Sequence, residues 1–164
     1  MEIVYKHQMD WISHNEGDTA QLARVLARHL NPGDVICLYG TLGMGKSVFA
    51  RALIRILADD PALEVPSPTF TLVQTYETGR GILWHFDLYR LRTPEEIYEL
   101  GWEDALSDAI TLVEWPERLE DFLPANRLDI HLSETPGGGR LLQIEARGDM
   151  KDRLSLPFSL DVSP

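Results

Sequence analysis

What this chain lacks narrows its identity first. It has one cysteine, Cys37, so a disulfide framework is excluded. That thiol sits in the apolar run Val35-Ile36-Cys37-Leu38, which suits a packed side chain rather than a nucleophile. None of the five histidines (His7, His14, His29, His85, His131) stands at HExxH or Cys/His metal spacing. No apolar run reaches the roughly 20 residues that span a bilayer. The amino-terminal residues carry Glu2, Lys6 and Asp10 and lack a secretory apolar core. A cytoplasmic protein without a membrane partner is expected. Positive charge is also scarce, with 15 Lys and Arg against 26 Asp and Glu, a formal net charge of −11. Such a field disfavours broad, unaided binding to nucleic acid or a membrane surface. The i,i+4 pairs Arg24/Arg28 and Arg51/Arg55 read as solvated helix faces.

What is present is an ordinary globular composition, 44% hydrophobic and 25% charged over 164 residues, enough for one domain with one sizeable core. The spacing predicts a short strand from Ile3 to Tyr5 and a helix from Asp18 to Leu30 with Leu22, Val25, Leu26 and Leu30 inward. Asn31-Pro32-Gly33-Asp34 breaks it. Val35 to Tyr39 reads as a strand buried on both faces. A helix follows from Ser47 to Leu57, with Val48, Ala52 and Ile56 as inward candidates. Strands are expected at Phe70–Tyr76 and Ile82–Phe86, joined around Gly79 and Gly81. Thr93-Pro94-Glu95-Glu96 has capping-box spacing and opens a helix that ends near Gly101. A short helix around Glu103–Asp108, a strand Ile110–Val113 and a helix opened by Pro116 come next. Arg127–Ser133 alternates with Leu128, Ile130 and Leu132 on one face. Leu142, Ile144 and Ala146 do likewise, and Pro136-Gly137-Gly138-Gly139 joins the two as a hairpin. Residues 149–164 show no clear pattern and read as a loosely attached tail.

Between the buried strand and its helix lies Gly40-Thr41-Leu42-Gly43-Met44-Gly45-Lys46-Ser47, which matches G-x-x-x-x-G-K-[ST]. Each part has a physical reason. Glycines let successive N–H groups turn inward into a nest for phosphate oxygens. The next helix presents its positive end to the same anion. Lys46 can reach the β- and γ-phosphates, and the Ser47 hydroxyl can ligate Mg²⁺. The expected fold is therefore α/β, a P-loop NTPase-like three-layer arrangement around a mixed, mostly parallel sheet with an edge β-hairpin. A nucleotide triphosphate is the expected ligand. Magnesium needs a carboxylate near the end of a neighbouring strand. Ile110–Val113 leads to Glu114 and Ile82–Phe86 leads to Asp87, both at the side of an open α/β sheet where ligands bind.

Four segments in order carry a resemblance: the glycine loop, Ser67-Pro68-Thr69-Phe70-Thr71-Leu72-Val73, His85-Phe86-Asp87-Leu88-Tyr89-Arg90-Leu91 and Leu112-Val113-Glu114-Trp115-Pro116. From about residue 15 to 147 the chain resembles the TsaE (YjeE) family, P-loop ATPases of tRNA threonylcarbamoyladenosine biosynthesis. The resemblance implies ATP and Mg²⁺ as cofactors and TsaD and TsaB as partners. Those partners transfer a threonylcarbamoyl group to the adenosine next to the anticodon, with tRNA reached indirectly through the complex. It further implies Lys46 on the phosphates, Ser47 on the metal, Glu114 as the Walker-B-like acid and Asp87 as the second carboxylate. Thr69 would lie on a loop that senses the γ-phosphate, and Trp115 would pack beside the site; read from the residues alone, Thr69 equally suits a turn or strand start and Trp115 a core anchor. The Glu16–Thr19 segment and Gly139 would border the adenine. Tyr89 and Arg90 read equally as packing and surface residues or as part of a partner-binding face.

Two other functional classes fit a P-loop. A small-molecule kinase would bring arginines from a mobile lid, and no Arg-rich insertion occurs in the sequence. A nucleotide-gated binding module with negligible turnover needs the same loop and acids. A GTPase would need an N-K-x-D segment and an ABC-type ATPase an LSGGQ-like one, and neither occurs. The charge itself makes a prediction. Filter binding of tRNA to the isolated chain at physiological salt should show almost no retention, and tight binding would contradict the field argument.

Overall fold

The computed structural model describes residues 7–154 and 156; the expected strand at Ile3–Tyr5 lies outside them. Among the described residues seven strands form one sheet: β1 Gln8–Ser13, β2 Val35–Tyr39, β3 Val73–Thr78, β4 Gly81–Asp87, β5 Ile110–Glu114, β6 Arg127–Glu134 and β7 Arg140–Arg147. Four α-helices accompany them: α1 Glu16–Ala27, α2 Lys46–Leu57, α3 Trp102–Asp108 and α4 Met150–Arg153. Two 3₁₀ segments, Pro94–Leu100 and Pro116–Phe122, complete the set. The spatial order is β1-β7-β6-β2-β5-β4-β3. The four central strands β6, β2, β5 and β4 run parallel. The outer pairs β1–β7, β6–β7 and β3–β4 are antiparallel.

Period-two alternation assigns each strand face to one of two cores. Ile36 and Leu38 of β2, Leu83 of β4 and Ile110 and Leu112 of β5 face α1 and α2. Val35, Cys37, Phe86 and Val113 face the opposite layer, built from α3 and the 3₁₀ segments with Trp102, Ile97 and Leu119 at its centre. This is the expected three-layer α/β fold, now with its strand order. Thr93 closes the expected capping box with Glu96, although the turn that follows is 3₁₀ rather than α.

Four expectations change. The β6–β7 hairpin is not at the margin, because β1 pairs with the outer side of β7; the marginal hairpin is β3–β4. Phe70 is no strand residue. Leu72 N donates to Pro68 O at 2.7 Å, Leu72 has φ 68°, and this turn leaves Phe70 81% exposed. The inward face of α2 is Phe49, Leu53, Ile54 and Leu57, with Val48, Ala52 and Ile56 half-buried at its flank. In the stretch expected to be loose, Met150, Leu154 and Leu156 are buried in the α1/α2-side core. Residues 155 and 157–164 lie outside the described residues. Among the described residues no helix is long and apolar enough to cross a membrane.

The shift in the α2 face can be checked by stability. Leu53→Ala should cost about 2–5 kcal/mol, as for a fully buried leucine, whereas half-buried Val48→Ala should cost under about 1 kcal/mol. Urea midpoints at unchanged m-value measure both.

Candidate functional site

Strand register assembles the site. Leu38 of β2 pairs with Glu114 of β5, and Glu114 pairs with Asp87 of β4. Because all three strands are parallel, their carboxyl ends stop at one level, where β2 passes into the loop Gly40–Lys46. Alternation then puts His85, Asp87 and Glu114 on the same face as Leu83 and Leu112, the face that carries α2. The loop needs its glycines. Gly45 caps α2 at φ 102°, a left-handed conformation that disfavours a side chain. At Gly40, with φ 151°, a Cβ would lie 2.9 Å from the Leu132 carbonyl oxygen, so strand β6 props the loop from below.

Lys46, the first residue of α2, is 6% exposed. Its ammonium donates to the Gly40 carbonyl and sits 3.6 Å from the centre of the Trp115 ring. Burial lowers its pKa below the ordinary lysine value, partly opposed by the charges of Glu114, Glu117 and Asp87. Trp115 takes a left-handed conformation, φ 58°, and Tyr89 packs against it at 5.0 Å between ring centres. Trp115 thus contacts both the lysine and Tyr89. Ser47 Oγ lies 3.5 Å from Glu114 Oε1. The other oxygen, Glu114 Oε2, lies 2.7 Å from His85 Nε2.

Asp87, 5% exposed, collects a second set of partners. Its Oδ2 accepts from Thr69 Oγ1 at 3.2 Å and Ser67 Oγ at 3.5 Å, and its Oδ1 accepts from Tyr89 N at 3.1 Å. Ser67 and Thr69 are themselves 2.8 Å apart. The Ser67–Thr71 loop is therefore tied to one carboxylate and the glycine loop to the other. Arg90 lies over the exposed Phe70 ring at 4.4 Å.

On the other flank of the loop is a cleft of about 260 Å³. Glu16 and Gly139, the two residues of the expected base site, both line it, together with Met44, Val48, His14 and Arg140. Gly139 is tightly held: a Cβ there would meet Ser13 O at 2.9 Å. Thr41 and Leu42, the tip of the loop, are exposed. All the sequence-derived positions thus fall on one end of the sheet, in two adjoining parts. Two polar contributors escaped the sequence reading, Ser67 and His85. For His85 a signal existed, since it shares the inward strand parity of Asp87 two residues later.

Among the described residues no cluster of three or more His, Cys, Asp or Glu is arranged to hold a metal by itself. A Mg²⁺ ion bound with a nucleotide needs only one or two protein carboxylates, its shell being completed by phosphate oxygens and water. Two buried carboxylates, with a hydroxyl 3.5 Å from one of them, suit such a partly furnished site.

The fold and this loop define the class, a P-loop NTPase-like protein. The family model described as "Threonylcarbamoyl adenosine biosynthesis protein TsaE" matches residues 13–142. The protein named tRNA threonylcarbamoyladenosine biosynthesis protein TsaE of Rickettsia felis is 41% identical over 133 residues, 81% of this chain and 77% of that relative. Its Bacillus subtilis counterpart is 32% identical over 148 residues, 90% and 91% of the two chains. The crystal structure of Bacillus subtilis YdiB superposes with a TM-score of 0.71 at 28% identity, covering 92% of this chain and 93% of that one. The chain belongs to the TsaE family.

The buried lysine generates a prediction for the ligand-free protein. A desolvated cation costs stability that an apolar side chain does not, so Lys46→Met should raise Tm without nucleotide. Thermal melting in nucleotide-free buffer checks it, and a lowered Tm would mean that the Gly40 and Trp115 contacts outweigh the desolvation.

Proposed function

We propose that this chain is the ATP-binding and ATP-hydrolysing subunit that supports threonylcarbamoyl transfer to the tRNA adenosine next to the anticodon. It works in the cytoplasm with TsaD and TsaB. The observation that carries the reading is the convergence of Lys46, Ser47, Asp87 and Glu114 at the ends of three adjacent parallel strands, within a chain of the TsaE family. ATP would lie with its phosphates in the Gly40–Ser47 nest and its base in the cleft of Glu16 and Gly139. Lys46 would exchange the Gly40 carbonyl for phosphate oxygens, which are stronger partners for a buried cation. Ser47 and Glu114 would hold Mg²⁺, which supplies charge neutralisation on the β- and γ-phosphates. Asp87 would orient the attacking water. Through its bonds to Ser67 and Thr69 it also gives the outer loop a means of responding to the γ-phosphate. Phe70, Tyr89 and Arg90 flank that loop and supply a face by which the partners could read the nucleotide state.

The reading is tested by phosphate release. Turnover should be slow for the chain alone and rise when TsaD and TsaB are added, and Lys46→Ala should abolish both rates while remaining folded. ATP·Mg at about one hundred times its Kd should stabilise the wild type by about 2.7 kcal/mol, a Tm rise of roughly 5–10 °C. Equal ATP-induced shifts in wild type and Lys46→Ala, or turnover indifferent to the partners, would defeat the reading.

A further inference from the structure

His85 is 2% exposed, on the α2-facing side of β4. Burying an imidazole is unfavourable unless its nitrogens are bonded, and Nδ1 has no hydrogen-bond partner among the described residues. The polar chemistry of this side chain is directed at one atom, Glu114 Oε2, 2.7 Å from Nε2. Where Glu114 serves as a metal-holding carboxylate, as in the reading above, its oxygens only accept, and Nε2 is then the atom that donates. If the position merely filled space, an apolar residue of similar volume would serve the core better.

The strand register explains how the contact arises. Asp87 stands opposite Glu114, and His85 stands opposite Leu112 on the same face. From there the ring reaches along β5 to the carboxylate from the side away from the glycine loop. With Oε2 tied to the ring, the plane of the carboxylate is fixed and Oε1 is the oxygen turned to Ser47, at 3.5 Å.

We propose that His85 is a positioning residue of the nucleotide site: by donating from Nε2 it locks the Glu114 carboxylate so that Oε1 and Ser47 Oγ together face the Mg²⁺ that accompanies the nucleotide. The inference rests on the ATP·Mg reading above. His85 acts through Glu114 and does not touch nucleotide or metal. Loss of such a partner typically lowers metal affinity 10–100-fold.

The test compares nucleotide affinity in Mg²⁺ and in EDTA, using a fluorescent ATP analogue and the full chain. In the wild type Mg²⁺ should tighten binding. His85→Leu should lose most of that tightening while its affinity in EDTA stays within about twofold of wild type. His85→Gln, whose amide nitrogen can stand near the Nε2 position, should recover most of it. If His85→Leu fails to fold, His85→Asn, whose amide stops short of Glu114, makes the same comparison. Equal weakening in Mg²⁺ and EDTA, or no recovery in His85→Gln, would reduce His85 to a packing residue and overturn the inference. A wild type whose nucleotide affinity ignores Mg²⁺ would instead overturn the ATP·Mg reading itself, and this inference with it.

Discussion

Parallel pairing of β5 between β2 and β4 is the constraint on which the rest depends. Three strand ends must finish at the same level for a glycine loop, a glutamate and an aspartate to share one space, and only parallel register delivers that. A slip of one residue in β5 would turn Glu114 into the opposite core and bring Val113 to the loop. The apolar runs on both faces of the central strands therefore do more than fill two cores. By penalising every other register, they hold the polar ends in line.

Within that frame the chain accepts an unfavourable arrangement. A nearly buried ammonium rests on a carbonyl and an indole, and two carboxylates lie buried nearby, each satisfied by different partners. Under the ATP·Mg reading proposed above, these contacts are the ones that phosphate and metal would replace. The division of partners is informative. Glu114 is joined to the rigid interior through His85, whereas Asp87 is joined to a loop through Ser67 and Thr69. One acid is thus bonded to a neighbouring strand and the other to a surface loop.

How far the sequence could be read follows from the range of each signal. The buried strand Val35–Tyr39, the glycine loop and the Thr93 capping box are written in adjacent residues, and each is where it was expected. Strand β1 was not legible, because an edge strand buries only Met9 and Ser13 fully and leaves Ile12 55% exposed, which blurs alternation. Phe70 misled in the other direction: its apolar character suited a strand, but the Pro68–Leu72 turn overrides propensity. The role of α2's residues was displaced by one position, since Phe49 and Leu53 outweigh Val48 and Ala52 once α1 packs on the same side. The pairing of His85 with Glu114 could not be read at all from spacing, because it depends on which strands become neighbours.

The strand order has a consequence for the chain's own manufacture. β2 ends at Tyr39, yet both of its neighbours, β5 and β6, begin only at Ile110 and Arg127. During synthesis the most apolar strand of the protein emerges with both hydrogen-bonding edges open and waits there until most of the domain has been translated. An unpaired apolar strand is a template for aggregation. Both edges of β2 thus stay open while the segment from Gly40 to Ala109 is made, and the helices α1 and α2, complete once Leu57 is added, are what shelter one face of β2 until the sheet closes around it.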